Sequence, residues 1–132
     1  MTSSEQHPYF PSGDWEGFYK DPRGGRPKGE MNMTLDFSNG MVSGSGSDPV
    51  GVYTWTGLYD TKAETCQLKK TYVGAHSVEY SGYADENGIW GKWKLMRTTG
   101  EFHIWPKKRG MGEDSEEVKE AVNEATGRLL YI

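Results

Sequence analysis

The chain has 132 residues, enough for one domain with a single core, and 18 of them are glycine, more than the usual share of about 7 %. A net charge of −4 argues against a nucleic-acid-binding protein, because such proteins neutralise phosphates with a clustered basic face. A single cysteine, Cys66, excludes an intrachain disulfide, and with no signal-like N-terminus and no long apolar run it predicts a cytoplasmic protein without a membrane span.

The leader and the strands come first along the chain. Residues 1–12 are polar, contain Pro8 and Pro11, and are predicted to form a flexible leader to a domain of residues 13–132. In that domain, short stretches alternate apolar and polar residues, which is typical of half-buried strands. Short turns rich in Gly, Asn and Asp make neighbouring strands antiparallel, and Asn39-Gly40 predicts a type I′ hairpin. The eight predicted strands cover residues 15–20, 30–37, 41–46, 52–59, 65–73, 76–84, 89–96 and 101–105.

A helix is predicted after the strands, over about residues 114–126. Asp114 is a suitable N-cap, Glu117 completes a capping box, and Gly127 suits the position after the helix. Apolar residues between these signals recur at helical spacing and form one narrow stripe. The predicted fold class is therefore all-β: a single eight-stranded antiparallel up-and-down β-barrel with one C-terminal helix.

Alternation assigns an apolar face to the barrel interior, since a soluble barrel points its apolar residues inward. An interior rich in tyrosine, tryptophan and methionine suits a flat or apolar ligand that a few polar groups orient. The same side chains could instead fill a small core, and the sequence leaves these two alternatives open. The predicted ligand-binding residues, which would line a cavity, are Tyr19, Met31, Met33, Tyr53, Trp55, Tyr72, His76, Tyr80 and Trp93.

Polar residues give few signs of catalysis. His76 is predicted at the barrel mouth, whereas alternation places His103 on the outer face, in solvent. Asp48 precedes Pro49 and is predicted to form a turn, with a carboxylate at the barrel rim as the alternative. The sequence has no metal-ligand spacing, phosphate loop or nucleophile elbow, so no catalytic residue, metal or cofactor is predicted.

The tripeptide Gly13-Asp14-Trp15, at the start of the first predicted strand, resembles the Gly-x-Trp signature of the calycin superfamily. That superfamily contains lipocalins, cytosolic fatty-acid-binding proteins and avidins, and the predicted order of strands and helix is similar to that of lipocalins. The resemblance implies that Trp15 plugs the closed end of the barrel. It also implies an arginine after the eighth strand that partners this tryptophan, for which Arg109 is the candidate.

Three functions are compatible with these features. The first is an intracellular calycin-like barrel that binds a small apolar or aromatic molecule in its interior. The second is a filled barrel that acts as an oligomeric or protein-interaction module, with a homodimer patch of Trp90, Met96 and Trp105 on its outer face. The third is a barrel isomerase or cyclase that uses His76 and the tyrosines, although the scarcity of catalytic motifs favours a protein that is not an enzyme.

Overall fold

The chain forms a closed barrel in which each strand pairs antiparallel with the next and β8 pairs with β1. The computed structural model describes residues 4–23 and 28–107. The strands are β1 (Gly13–Lys20), β2 (Lys28–Ser38), β3 (Met41–Ser47), β4 (Val52–Asp60), β5 (Thr65–Tyr72), β6 (Ser77–Asp85), β7 (Gly88–Leu95) and β8 (Thr98–Pro106). The prediction of an eight-stranded antiparallel barrel is thereby confirmed. The predicted helix over residues 114–126 and Arg109 lie outside the described residues.

Local sequence explains how the strands turn and bend. Asn39 and Gly40 join β2 to β3 with φ angles of 53° and 80°, as the predicted type I′ hairpin requires. Within the strands, Gly44 and Gly57 lie so close to a neighbouring strand that a Cβ atom at either position would overlap a backbone oxygen. These two positions therefore allow the close strand approach that a small closed barrel needs.

Aromatic side chains close one end of the barrel. Trp15 of β1 is fully buried there, and its Nε1 donates a hydrogen bond to the Pro11 carbonyl at 2.9 Å. The Phe37 ring lies with its centroid 5.6 Å from the Trp15 ring and 5.3 Å from the Tyr59 ring. Phe10 packs against two of these rings, with its centroid 5.5 Å from Phe37 and 4.9 Å from Tyr59. We call Phe10, Trp15, Phe37 and Tyr59 the aromatic plug.

Part of the predicted flexible leader belongs to this closed end. Phe10 is fully buried, so the leader contributes a complete side chain to the core. The Glu5 amide donates to the Phe37 carbonyl at 2.9 Å, and the Tyr59 hydroxyl donates to the Glu5 carboxylate at 2.7 Å. Residues 4–12 therefore lie across this end of the barrel, and the β3–β4 and β5–β6 loops lie at the opposite end.

Candidate functional site

A lysine lies inside the barrel. The side chain of Lys70, on β5, has no solvent exposure, although lysine is among the residues least often buried completely. Its neighbours at alternate positions on β5, Leu68 and Tyr72, also point inward, so the strand itself directs Lys70 into the core. Burying an ammonium group costs several kcal/mol unless it is paired, so its partners decide whether the position is tolerated.

The Lys70 ammonium is paired with a carboxylate that is equally inaccessible. Nζ lies 2.6 Å from Oδ2 of Asp48, and neither side chain is exposed to solvent. The same Oδ2 accepts a hydrogen bond from the Tyr72 hydroxyl at 2.5 Å. Lys70 Nζ also donates to the Tyr80 hydroxyl at 3.0 Å. The charge pair is therefore embedded in a short hydrogen-bonded chain.

Aromatic rings surround the ammonium group on several sides. Ring faces attract cations within about 6 Å of the centroid, and this attraction is strongest where water is excluded. It therefore offsets part of the hydration that Lys70 loses. The centroid distances from Nζ are 4.8 Å to Tyr19, 4.6 Å to Tyr53, 5.7 Å to Trp55, 5.1 Å to Tyr72 and 5.2 Å to Tyr80. We call these five residues the aromatic cage.

Asp48 reaches the cage from the loop between β3 and β4. Its Oδ1 accepts the backbone amides of Val50 at 2.8 Å and Gly51 at 3.2 Å, which is an Asx-type turn. Its Oδ2 points into the barrel mouth, towards Lys70. The two alternatives for Asp48, a turn-forming residue and a carboxylate at the rim, are both realised by one side chain. The turn holds the carboxylate over the cage.

Burial changes the pKa values of this cluster. Loss of hydration lowers the pKa of Lys70 from 10.5 to about 8, and the Asp48 carboxylate limits the decrease. Burial also raises the pKa of the Tyr72, Tyr80 and Tyr53 hydroxyls, and the Asp48 charge raises each of them further. At neutral pH the tyrosines are therefore neutral donors and Lys70 is mostly an ammonium ion, whereas above about pH 8 its neutral amine predominates.

The cluster is better supplied with donors than with strong acceptors. Trp55 Nε1 is buried and has no hydrogen-bond partner. Lys70 Nζ contacts the Met31 thioether sulfur at 3.3 Å and the Tyr80 hydroxyl points to the same sulfur at 3.9 Å, but a thioether is a weak acceptor. A further oxygen atom with lone pairs would satisfy donors that the protein leaves underused.

The predicted ligand-binding residues are distributed unevenly around this cluster. Met33 and Trp93 line the interior, and Trp93 Nε1 donates to the Lys20 carbonyl at 2.9 Å. His76 is exposed in the β5–β6 loop, where its ring lies 5.0 Å from the Tyr72 ring. Among the predicted ligand-binding residues, those in contact with the Lys70 ammonium are Tyr19, Met31, Tyr53, Trp55, Tyr72 and Tyr80.

Lys70, the centre of the site, was missed in the sequence interpretation. The signal was present, because alternation from Leu68 and Tyr72 places position 70 on the inward face. A charged residue in the core is unexpected from sequence, because an unpaired buried charge is so costly. Only the fold of the β3–β4 loop brings Asp48 within reach of this lysine.

The prediction that His103 points to solvent is wrong. It does lie on the outer face of β8, but only 7 % of it is exposed. The ring of Trp105 lies 5.0 Å from it and that of Phe18 lies 6.3 Å away, and one ring nitrogen contacts the Asn87 carbonyl at 2.8 Å. Burial lowers the pKa of His103 below its usual 6.5, so it is a neutral structural residue.

An outer groove runs beside His103 along the barrel wall. Its volume is about 700 Å³, and its lining includes Phe18, Tyr83, Trp90, Lys92, Glu101 and His103. Tyr83 and Trp90 are directly paired across β6 and β7, with ring centroids 5.7 Å apart, and both are substantially exposed. This exposed aromatic pair is a feature of the outer wall, separate from the cluster around Lys70.

Met96 does not lie beside Trp90 in the predicted dimer patch. Trp90 is near the start of β7 and Met96 directly follows its end, so about 20 Å separates them along the strand direction. Trp105 is half-buried, and its Nε1 donates to the Glu16 carboxylate at 3.2 Å. The exposed apolar side chain in contact with Trp90 is therefore Tyr83, whereas Met96 lies at the other end of β7.

Other groups contribute less to the chemistry of the barrel. Burial raises the pKa of the Cys66 thiol to about 12, so its reactive thiolate is not populated at neutral pH. Over residues 4–23 and 28–107, no three His, Cys, Asp or Glu side chains are grouped to hold a metal ion. Over the same ranges, no helix has both the length and the apolar character needed to cross a membrane.

Comparison of the chain with protein-family models, with curated proteins and with solved structures gives no match. The functional argument therefore rests on the barrel and on the cluster of Lys70, Asp48 and the aromatic cage.

Proposed function

We propose that this protein is a calycin-like barrel that binds a small molecule with a flat, apolar or aromatic body. The ligand enters at the β3–β4 loop and carries a carboxylate or carbonyl oxygen that Lys70 and Tyr80 anchor. The observation that carries this proposal is the fully buried Lys70 ammonium inside the aromatic cage. Flat apolar surfaces suit the rings of the cage, and an oxygen acceptor suits the unpartnered Trp55 Nε1 and the Lys70 and Tyr80 donors that face only the Met31 sulfur.

The cost of the buried charge pair supports a functional role. Replacing a buried ion pair by well-packed apolar residues is often neutral or stabilising by about 1–4 kcal/mol, so stability alone gives little reason to keep such a pair. Buried titratable groups with shifted pKa values concentrate at functional sites. Lys70 has both properties, since it is inaccessible and its pKa is lowered to about 8.

The β3–β4 loop is the proposed way into the barrel. Buried side chains surround Lys70 and leave it no solvent exposure, so a ligand must displace part of the protein to reach it. Asp48 is the group to displace, because a ligand carboxylate in its place preserves both the charge balance and the hydrogen bonds to Lys70 and Tyr72. Val50 and Val52, beside Asp48, are each 61 % exposed, so movement of this loop uncovers little apolar surface.

Binding is tested by titrating 1-naphthoate and following tryptophan fluorescence. Trp55 lies against the Lys70 ammonium, so we expect saturable quenching of its emission by the wild type. Lys70→Gln is expected to weaken binding at least about tenfold, since removing one partner of a buried charge pair costs 2–5 kcal/mol. The matched control is Lys69→Gln, which changes the exposed neighbour on the same strand and should leave binding unchanged.

Two further probes define the site. The neutral analogue 1-methylnaphthalene should bind more weakly than 1-naphthoate, because it offers Lys70 no oxygen. Met33→Trp should block binding by filling interior volume. If protein shown by native mass spectrometry to be ligand-free gives no saturable signal with either probe, the proposal fails and the barrel is a filled core.

A second candidate function is self-association through the outer wall. The observation that favours it is the exposed Tyr83–Trp90 pair beside the outer groove. In this case sedimentation equilibrium at tens of micromolar should give a dimer of the 14.8 kDa chain. Trp90→Lys should restore the monomer, whereas Met96→Lys, at the far end of β7, should not. A wild-type monomer at that concentration excludes this candidate.

A further inference from the structure

Lys70 and the three polar side chains hydrogen-bonded around it have the roles that addition of an amine to a carbonyl group requires. Lys70 supplies a nitrogen nucleophile, and the Tyr80 hydroxyl lies 3.0 Å from it as a proton donor and acceptor. Asp48 lies 2.6 Å from the same nitrogen and can accept its proton. Tyr72 donates a hydrogen bond to Asp48 and so orients the carboxylate. These side chains surround one nitrogen atom in a site that excludes water.

We propose that Lys70 reacts reversibly with a small aromatic aldehyde to form an imine inside the barrel. The aldehyde reaches Lys70 by the same opening of the β3–β4 loop, so this inference rests on the proposed function for its route. An aldehyde carries no negative charge that could replace Asp48, so the loop closes again and returns the Asp48 carboxylate to Lys70 before the reaction. It adds a covalent step that non-covalent binding of a carboxylate does not need.

The reaction balances with the groups present. Asp48 first takes a proton from the Lys70 ammonium, and the neutral nitrogen attacks the carbonyl carbon, which forms the C–N bond. One nitrogen proton then passes through the Tyr80 hydroxyl to the former carbonyl oxygen, giving a neutral carbinolamine. The proton on Asp48 next moves to that oxygen, water leaves, and the nitrogen lone pair forms the C=N bond. The net change converts an ammonium ion and an aldehyde into an iminium ion and water.

The aromatic cage stabilises both the ammonium reactant and the iminium product. The iminium ion carries its positive charge where the ammonium charge lay, against five ring faces with centroids within 5.7 Å of Nζ. Asp48 remains as the counter-ion. Burial lowers the pKa of Lys70 to about 8, so about half of it is the reactive amine at pH 8. An ordinary lysine at that pH has a neutral fraction on the order of a hundredfold smaller.

Reductive trapping tests the proposal on the intact chain. The protein is incubated with benzaldehyde and sodium cyanoborohydride at pH 8, and the benzylated residues are found by intact mass and peptide mapping. We expect Lys70 to be labelled at least about tenfold faster than Lys69, because a hundredfold gain in neutral amine outweighs slow access. Lys69 is the matched control on the outer face of the same strand.

The labelling rates of variants, and the dependence of labelling on pH, show whether the reactivity of Lys70 or only its accessibility determines the labelling. Labelling of Lys70 should increase as the pH rises through about 8. Tyr80→Phe should slow labelling of Lys70 about tenfold or more while leaving that of Lys69 unchanged, since it removes the hydroxyl beside the nitrogen. Lys70→Arg should abolish the selective adduct, and Lys69→Arg should retain it. If a variant fails to fold by circular dichroism, peptide mapping of the wild type still decides.

The outcomes distinguish this inference from the proposed function. Uniform labelling of all lysines, or labelling of exposed lysines with none at Lys70, overturns imine formation. If 1-naphthoate still binds in that case, only the covalent step fails. If Lys70 is labelled selectively but 1-naphthoate does not bind, the carboxylate-binding function fails and imine formation remains.

Discussion

Lys70→Met is expected to lower the free energy of unfolding by about 3–5 kcal/mol, measured by urea denaturation at pH 7. Methionine has a similar length and no charge, so the substitution leaves the Asp48 carboxylate buried without its cation. The effect comes from this stranded charge more than from lost packing. Lys69→Met, on the exposed face of β5, should change stability by less than about 0.5 kcal/mol.

The double variant Asp48→Asn/Lys70→Met should recover most of that loss, because it removes both charges together. A double-mutant cycle then measures the coupling between the two side chains. If the single Lys70 variant is as stable as the wild type, the Asp48–Lys70 contact is not a buried ion pair in solution. The central premise of the candidate site would then fail.

The free energy of unfolding of the wild type and of the double variant should depend differently on pH. The folded-state pKa of Lys70 is about 8 and that of an unfolded lysine is about 10.4, so the unfolded chain binds more protons between these values. Stability of the wild type should therefore increase, relative to the double variant, as pH rises from about 8 to about 10. At higher pH the absolute stability of both proteins should fall, because the buried tyrosines have raised pKa values in the folded state and ionise on unfolding.

Trp15→Ala is expected to cost about 3–5 kcal/mol, because it opens a large cavity in the aromatic plug. The substitution also removes the hydrogen bond from Nε1 to Pro11, which helps to hold the leader across the barrel end. Thermal or urea unfolding followed by circular dichroism measures the loss. Trp90→Ala is the control, since 42 % of that side chain is exposed.

A cost below about 1 kcal/mol for Trp15→Ala would place this residue outside the core and would remove the main support for the calycin resemblance. A further measurement, proteolysis of the N-terminal segment, should report the same event. Trp15→Ala removes the hydrogen bond from Nε1 to the Pro11 carbonyl, next to Phe10, so cleavage of the chain around Phe10 should become faster.

Local pattern was sufficient to predict the strands and the turn chemistry. Alternation in β2, where Met31, Met33 and Leu35 face inward, depends only on the two-residue period of a strand. The Asn39-Gly40 hairpin follows equally from the backbone freedom of those two residue types. Neither conclusion needed information about distant parts of the chain.

The missed features all depend on contacts between distant segments. Phe10 belongs to a polar leader, and only its position against Phe37 and Tyr59 makes it a core residue. His103 faces outward, but Phe18 and Asn87 cover it. The buried charge of Lys70 becomes tolerable only once Asp48 arrives from another loop. Periodicity assigns a side chain to a face, but it does not identify what lies opposite that face.

The pairing of β1 with β8 has a consequence for folding kinetics. Trp15 is in register with Pro106, so closing the barrel joins segments about ninety residues apart. The other strand pairs join neighbours in sequence and can form from local hairpins. Closing a long loop carries an entropic cost before its contacts contribute, and proteins with many such contacts fold in milliseconds to seconds. The β1–β8 seam should therefore form late, and only then can Lys70 and Asp48 be sealed away from water.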